Sequence, residues 1–189
     1  MGSGMTGWLI IGAVVLYFIS IYNRLVALRE SVDAAWSDIS VQLKRRYDLI
    51  PALVEVVKGY RDYESETLEN VIKARQMGVS ANSIKEHEEA NDMLTKSLGR
   101  LFALAESYPD LKANTNFTEL QLEISHLEDT IQNARRYYNA IVRDYNTKIA
   151  SFPDLLVANH FGFESREFFE LDADEKREVR DMPKIDFGK

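Results

Sequence analysis

The chain has 189 residues, of which 46% are hydrophobic and 28% are charged, so its composition is that of a folded protein rather than a disordered one. Its 30 Asp and Glu outnumber its 23 Lys and Arg and give a net charge of -7, which argues against binding nucleic acid through phosphate neutralisation. The absence of Cys excludes disulfides, thiol catalysis and Cys-ligated metal sites, and the few Gly and Pro favour long helices.

The first element is an apolar stretch at residues 8–22, WLIIGAVVLYFISIY, and no charged residue precedes Arg24. With its uncharged flanks it reaches the roughly 20 residues that a helix needs to span hydrocarbon. Aromatic residues stand at both ends, where amphipathic rings favour the headgroup zone. We therefore expect residues 1–23 to hold a transmembrane anchor. Its anchor residues are Trp8, Leu9, Ile10, Ile11, Val14, Val15, Leu16, Phe18, Ile19 and Tyr22.

Two other interpretations fit this stretch less well. A cleavable signal peptide would carry a basic residue before the apolar run and a small-x-small site after it. A buried core helix would show periodic polar positions, whereas this run has only Ser20. Arg24 and Arg29 follow the anchor, so the excess of basic residues on that side favours an outside N-terminus and a cytoplasmic domain.

Beyond Asn23, apolar side chains recur every three or four residues, which is the period of an amphipathic helix. No Gly or Pro occurs from Ala13 to Ile50, so we expect one helix that leaves the bilayer and enters the folded domain without a linker. Pro51 predicts a kink or a restart. The helical pattern then continues to Met77 and Gly78, where VSANS predicts a loop.

A second long helix is expected to begin at Asn82 or Ser83 and to end near Tyr108 and Pro109. Its first half is highly acidic. Negative charges suit the N-terminal end of a helix dipole, so we interpret this half as a solvated helix start.

The third long helix carries the most regular pattern of the sequence. Its apolar residues alternate steps of three and four from Phe117 to Tyr145, which predicts an a/d seam of the coiled-coil type. Asn114, Thr115 or Asn116 is available as its N-cap. The predicted seam is Phe117, Leu120, Ile124, Leu127, Ile131, Ala134, Tyr138, Ile141 and Tyr145.

These elements together predict an all-α fold. A narrow seam is buried only against other long helices, and short turns near residues 78–83 and 109–116 make neighbours antiparallel. We expect an N-terminal transmembrane helix continuous with an elongated antiparallel bundle of three to four long helices over residues 24–170. A charged tail at 171–189 is expected to be solvated.

The segment before that tail is rich in Phe and is broken by Pro153 and Gly162. It predicts either a cap that packs on one end of the bundle or an exposed apolar patch that binds partners or lipid.

Several long segments carry a resemblance to a known family. They are VQLKRRYDLIPALVEVVKGY at 41–60, AESYPDLKAN at 105–114 and ARRYYNAIVRDYNTKIASFP at 134–153. Through them the chain from Tyr22 to Glu170 resembles the LemA family. The resemblance implies a bacterial inner-membrane protein with one N-terminal transmembrane helix, a short outside N-terminus and a long helical bundle. No enzymatic activity is established for that family.

One pattern points toward catalysis. Glu123 and His126 form an E-x-x-H pair, and di-iron four-helix bundles use such pairs from two helices. A single copy on the flank of the seam is more typical of a solvated polar face. The sequence therefore predicts no catalytic residue, metal or cofactor.

The basic triplet at 44–46 predicts either pairing with acidic faces of neighbouring helices or contact with a partner. Asn139 and Asn146 each follow a seam Tyr, seven residues apart, and polar residues beside a seam set register and oligomeric state. The candidate interaction residues are Lys44, Arg45, Arg46, Asn139, Asn146, Phe161, Phe163, Phe168 and Phe169.

The function predicted from these features is a non-enzymatic, membrane-anchored scaffold or interaction protein of the bacterial envelope. Its expected partners are the lipid bilayer, copies of itself in a homo-oligomer and other envelope proteins, with no nucleic acid. The alternatives are a membrane-remodelling or lipid-sensing adaptor that uses the C-terminal Phe residues, and a metal-dependent helical-bundle enzyme.

Overall fold

The computed structural model describes residues 2–60 and 65–169, with side chains from residue 7 onward. Within these ranges the chain forms six α-helices and no strand, which confirms the predicted all-α class. The predicted charged tail at 171–189 lies outside the described residues. The helices are α1 Gly2–Lys58, α2 Ser65–Ser80, α3 Ile84–Ala105, α4 Pro109–Lys112, α5 Thr115–Ala150 and α6 Asp154–Phe161.

The described chain groups into two compact units. Unit 1 combines the chain up to Gln42 with Asp129–Phe168, and unit 2 combines Leu43–Glu128 with Phe169. α1 and α5 contribute residues to both units. α6 belongs to unit 1, whereas α2, α3 and α4 belong to unit 2.

α1 runs from the apolar stretch into the folded chain without a break, as the spacing of Gly and Pro predicts. Pro51 lies inside this helix, so the interpretation of Pro51 as a restart is wrong. A proline has no N–H, and the carbonyl four residues earlier, that of Tyr47, loses its donor in the helix. Arg75 of α2 supplies that donor instead, since its Nε lies 2.9 Å from the Tyr47 carbonyl oxygen.

α2 continues to Ser80, past the Gly78 that was expected to end it. Gly78 is a packing residue rather than a stop signal. A Cβ atom there would lie 2.6 Å from Oη and 2.8 Å from Cε1 of Tyr47, closer than side-chain atoms approach each other. The ring of Tyr47 thus occupies the space that any larger residue would need.

Polar caps fix the starts of α3 and α5. The Ser83 hydroxyl accepts a hydrogen bond from the Glu86 N–H at 3.2 Å, and the Glu86 carboxylate accepts from the Ser83 N–H, which forms a capping box. This confirms the predicted start of α3. α5 is capped by Asn114, whose side-chain oxygen accepts from the Phe117 N–H at 3.0 Å.

The seam predicted for α5 is largely the buried stripe of that helix. Toward its end, burial shifts from Ile141 to Val142. A straight helix drifts against a seven-residue repeat, so the stripe moves by one position over several turns. The buried seam residues are Phe117, Ile124, Leu127, Ile131, Tyr138 and Tyr145.

In unit 1, α1 and α5 run antiparallel. The rings of Trp36 and Tyr138 lie 5.8 Å apart. Asp33, one turn before Trp36 on α1, accepts from the Arg166 side chain at 3.0 Å. Asn146, two turns after Tyr138 on α5, bonds to the backbone of the same Arg166. Residue numbers thus increase along α5 in the direction in which they decrease along α1, which makes the two helices antiparallel.

Candidate functional site

The apolar stretch of α1 is not covered by the rest of the described chain. Trp8 is 76% exposed and Leu16 is 68% exposed, and the large apolar residues between them are also exposed. Burial begins at Ile21 and Leu25, next to the first charged residue, Arg24. A core helix would bury this stretch, whereas a membrane-spanning helix presents it to lipid.

Among the described residues, one helix is long and apolar enough to cross a membrane, and it is the Gly7–Lys58 part of α1. Its apolar segment lies near the N-terminus, where the sequence predicts the anchor. The structure thus supports a candidate transmembrane helix at this end of the chain.

The C-terminal segment returns to the end of the candidate anchor. The ring of Tyr22 lies 4.7 Å from that of Phe161 and 5.8 Å from that of Phe163, measured between centroids. The guanidinium of Arg29 stacks 5.4 Å from the centre of the Phe163 ring, a cation–π contact. Two of the predicted interaction residues therefore pack on the same turn of α1 within unit 1.

An extended segment after α6 is held along α5 by side chains. The Asn146 amide donates to the Arg166 carbonyl at 2.9 Å and accepts from the Arg166 N–H at 2.8 Å. The Tyr138 hydroxyl donates to the Glu167 carbonyl at 2.8 Å. Burial raises the pKa of both Tyr138 and Tyr145. The sequence predicts Asn146 as an oligomer contact. The structure does not support this role, because the Asn146 amide forms its hydrogen bonds with Arg166 of the same chain.

Asn139, the other member of the seven-residue repeat, is half-buried on α5. The two Tyr residues of the repeat, Tyr138 and Tyr145, are buried in unit 1. The repeat is thus part of the packing of one chain, and it no longer argues for assembly.

The basic triplet divides between surface and core. Lys44 is exposed and forms an i, i+4 pair with Asp48 at 2.6 Å, and Arg45 is exposed. Arg46 is only 2% exposed. The prediction of a partner contact is therefore wrong for Arg46 and stays open for Lys44 and Arg45.

Arg46 lies in a polar network inside unit 2 that joins α1, α3 and α5. Its Nη1 is 2.5 Å from Oε2 of Glu128, 2.6 Å from Oδ1 of Asn91 and 3.0 Å from Oγ1 of Thr95. The Thr95 hydroxyl donates to the same Glu128 carboxylate at 3.1 Å. Burial lowers the pKa of Arg46, and the charge of Glu128 opposes this shift. The network satisfies the alternative prediction of pairing with a neighbouring helix.

The Phe residues predicted as interaction residues differ in exposure. Phe169 is fully buried, so its assignment as an accessible interaction residue is wrong. Phe163 is half-buried, whereas Phe161 and Phe168 are exposed. Phe152, Leu155 and Leu156 belong to the apolar segment that the sequence predicts as a cap or an exposed patch, and all three are exposed. Sequence reasoning missed the burial of Arg135 and that of Asp154, which pairs with Lys148 at 3.1 Å.

The E-x-x-H pair lies on the surface of α5, since both Glu123 and His126 are exposed. Glu123 lines an open groove of about 360 Å³ with Glu55 and Glu119. Within the described ranges, no three His, Asp or Glu residues are grouped so that they could hold a metal ion.

Comparison with known proteins places these features in a family. The LemA family model matches residues 35–187. The protein named Protein LemA from Metamycoplasma hominis is 29% identical over 175 residues, which cover 90% of this chain and 78% of that protein.

Two further relatives carry a magnetosome name. Magnetosome protein MamQ 2 of Paramagnetospirillum magneticum is 25% identical over 175 residues, covering 79% of this chain and 64% of that protein. Magnetosome protein MamQ of Magnetospirillum gryphiswaldense is 24% identical over 174 residues, covering 78% and 64%. The chain thus spans less than two thirds of either MamQ protein. Because the family model covers most of its length and agrees with the helical fold, the chain belongs to the LemA family.

Proposed function

We propose that this chain is a non-enzymatic, membrane-anchored scaffold of the bacterial envelope that assembles with copies of itself. The observation that carries the proposal is the uncovered apolar stretch of α1, which continues as the same helix into unit 1. Each large apolar side chain moved from water into hydrocarbon contributes about 1.5–3 kcal/mol, so lipid is the favoured surrounding for this stretch.

The proposed orientation puts the N-terminus outside and the folded units in the cytoplasm, with the anchor in the cell membrane. Arg24 and Arg29 immediately follow the apolar stretch, and basic residues near a span stay on the cytoplasmic side.

Assembly is proposed because the anchor confines every copy to one plane. Confinement raises effective concentration, so weak lateral contacts suffice to associate the copies. Leu122 and Tyr137 of α5 are large, apolar or aromatic and exposed, and we propose that they take part in these contacts in place of Asn139 and Asn146. Other envelope proteins are proposed as further partners of the same surfaces and of Lys44 and Arg45.

The test is the mass of the full-length protein in detergent and in lipid nanodiscs, measured across dilution. We expect multiples of the 21.7 kDa chain, and a shift toward lower mass for Leu122→Ser and Tyr137→Ser. Glu123→Gln is the matched control, since this neighbour of Leu122 is also exposed and its substitution should leave the mass unchanged. A monomer at every dilution in both media would contradict assembly.

The absence of enzymatic metal chemistry is part of the proposal and has its own test. Metal analysis of the purified protein should give iron, manganese and zinc well below one per chain, with no change in His126→Ala. A stoichiometric metal that this substitution removes would instead support a metal-dependent enzyme.

A lipid-sensing or membrane-remodelling adaptor is the second candidate. The exposed Phe152, Leu156 and Phe161 favour it, because soluble proteins rarely group such side chains on their surface. Vesicles that contain the full-length protein should then differ in size or shape from those with Phe152→Ser and Leu156→Ser. Identical vesicles would exclude remodelling by these residues.

A further inference from the structure

We infer that α6 lies flat in the headgroup region of the bilayer and inserts Phe152, Leu155, Leu156 and Phe161 into the lipid surface. These four residues are called the α6 apolar surface below. The inference rests on the proposed anchor, because the anchor sets the position of the bilayer along α1.

The end of α6 lies at the boundary of the anchor. Phe161 is the last residue of α6, and its ring lies 4.7 Å from that of Tyr22. Tyr22 ends the apolar stretch, and Arg24 is the first charged residue after it. Phe161 therefore lies at the depth where the hydrocarbon gives way to headgroups.

The start of α6 lies at nearly the same depth. Trp36 of α1 contacts Tyr138 of α5, and the two helices run antiparallel. α5 continues to Ala150, twelve residues beyond Tyr138, and Arg24 lies twelve residues before Trp36. Both helices rise about 1.5 Å per residue, so the end of α5, three residues before Pro153, reaches the level of Arg24.

Because both of its ends lie at the depth of residues 22–24, α6 runs across α1 rather than along it. Its 8 residues span about 12 Å, which would carry one end well away from this level if the helix ran parallel to α1. An anchor that crosses the bilayer thus orients α6 along the membrane surface.

The composition of α6 suits this place. Residues 155–163, LLVANHFGF, contain no formally charged side chain. The one charged residue of the helix, Asp154, is buried and pairs with Lys148 at 3.1 Å. Asn159 and His160 are exposed beside Leu155 and Leu156, so the outer face of α6 combines uncharged polar and apolar side chains, which suits a helix placed between headgroups and acyl chains.

The chain itself covers only one face of α6. Val157 and Ala158 are buried, whereas Leu156 on the opposite face is 51% exposed and Phe152, just before the helix, is 79% exposed. Continuity with the anchor identifies what covers the other face. The α6 apolar surface lies beside the bilayer that holds residues 8–22, so lipid rather than a second protein is its nearest apolar environment.

The experiment uses the absence of Cys in the chain, which permits single labels. The full-length protein with Leu156→Cys carries an environment-sensitive fluorophore and is placed in vesicles of phosphatidylcholine and phosphatidylglycerol. Lipids with a nitroxide near the headgroup should lower its fluorescence at least about twofold, as for a helix buried in the interface. Lipids with a nitroxide deep in the acyl chain should quench it less.

Two further labels give the controls. Leu16→Cys, within the anchor, should be quenched by the deep nitroxide. Val41→Cys, which replaces an exposed residue of α1 far past the anchor and outside the proposed contact surfaces, should not be quenched by either lipid. Phe152→Cys repeats the measurement at a second position of the α6 apolar surface, and circular dichroism checks that each labelled protein is helical.

The outcomes separate the inference from the proposed function. Quenching at Leu16→Cys without quenching at Leu156→Cys and Phe152→Cys would overturn the inference and leave the anchor intact. No quenching at Leu16→Cys would overturn the anchor, and the inference would fall with it. Quenching at Val41→Cys equal to that at Leu156→Cys would show contact with lipid that is not specific to α6, and it would also overturn the inference.

Discussion

Pro51 illustrates how a single residue ties two helices together. It removes one backbone donor from α1, and a buried carbonyl without a donor costs free energy. Nε of Arg75 in α2 donates a hydrogen bond to the Tyr47 carbonyl oxygen at 2.9 Å instead. The sequence marks Pro51 as a disruption, but the compensating residue lies in another helix and has no local signal.

Replacing Arg75 should therefore destabilise unit 2 in a way that depends on Pro51. We expect Arg75→Met to lower the free energy of unfolding by about 1–3 kcal/mol. In a Pro51→Ala background the loss should be smaller, because the alanine N–H again donates to Tyr47. Urea unfolding of the four proteins in detergent gives the coupling. Lys73→Met, an exposed change on the same helix, is the control, and equal losses in both backgrounds would contradict the assignment.

The Tyr47 hydroxyl predicts a pH dependence. Burial raises its pKa to about 12 from an ordinary value of 10.0, while the charge of Arg46 opposes the shift. The unfolded chain loses this proton first, so the neutral form stabilises the fold below pH 10, and that contribution is lost as the pH rises from 10 through 12. Two pKa units correspond to about 3 kcal/mol at most.

Tyr47→Phe should remove this dependence. Its hydroxyl has no hydrogen-bond partner in the described part of the chain, so the substitution should cost little at pH 7. The free energy of unfolding of Tyr47→Phe should then fall less between pH 10 and 12 than that of the unmodified protein. Tyr138 and Tyr145 are present in both proteins, so the difference between the two pH dependences of the free energy of unfolding comes from Tyr47. Parallel curves would refute the assigned pKa.

Arg46 and Arg135 show what sequence reasoning could have found at this scale. Arg46 falls three residues after Leu43 and four before Ile50, on the apolar stripe of α1. Arg135 holds the equivalent place between Ile131 and Tyr138 on α5. Their charge favours the surface and their position favours burial. Arg46 is buried despite its charge because Glu128 and Asn91 lie within hydrogen-bond distance. These partners come from distant parts of the chain, so the sequence around Arg46 does not reveal them.

At the scale of elements, Gly78 and Gly99 form a matched pair within helices. A Cβ at Gly78 would collide with the buried Tyr47 ring, whereas a Cβ at Gly99 would meet nothing within 4 Å. Gly78→Ala should therefore destabilise by about 1–3 kcal/mol through overpacking. Gly99→Ala should stabilise by about 0.5–1 kcal/mol, since alanine favours a helix more than glycine does.

Thermal or urea unfolding of both variants measures this difference. We expect Gly78→Ala to lower the free energy of unfolding and Gly99→Ala to raise it. If Gly78→Ala stabilised the protein as much as Gly99→Ala, Gly78 would be an ordinary helical glycine and the contact with Tyr47 would be wrong.

The starts of α3 and α5 could be predicted because their signals are local. Ser83 with Glu86 forms a capping box, and Asn114 begins α5. α6 could not be predicted, since its 8 residues carry no amphipathic period and lie between Pro153 and Gly162. Its place beside Tyr22 depends on the antiparallel register of α1 and α5, which appears only in three dimensions.

At the scale of the whole molecule, the distribution of charge is the most informative property of the sequence. The first 23 residues carry no charged side chain, and the structure leaves their apolar side chains uncovered from Trp8 to Ile19. That much could be predicted. The accessible interaction residues could be predicted only in part, because helical periodicity does not tell an exposed aromatic side chain from one that the same chain covers. Phe161 and Phe168 are exposed as predicted, whereas Phe169 is buried and Asn146 bonds to its own chain.

Accessibility of single cysteines in intact bacterial cells tests the membrane anchor most directly. A membrane-impermeant maleimide should label Ser3→Cys in intact cells and Val41→Cys only after the membrane is opened. Ile11→Cys should resist labelling in both conditions until detergent dissolves the bilayer. Labelling of Ile11→Cys as rapid as that of Val41→Cys in opened cells would contradict a membrane-spanning helix.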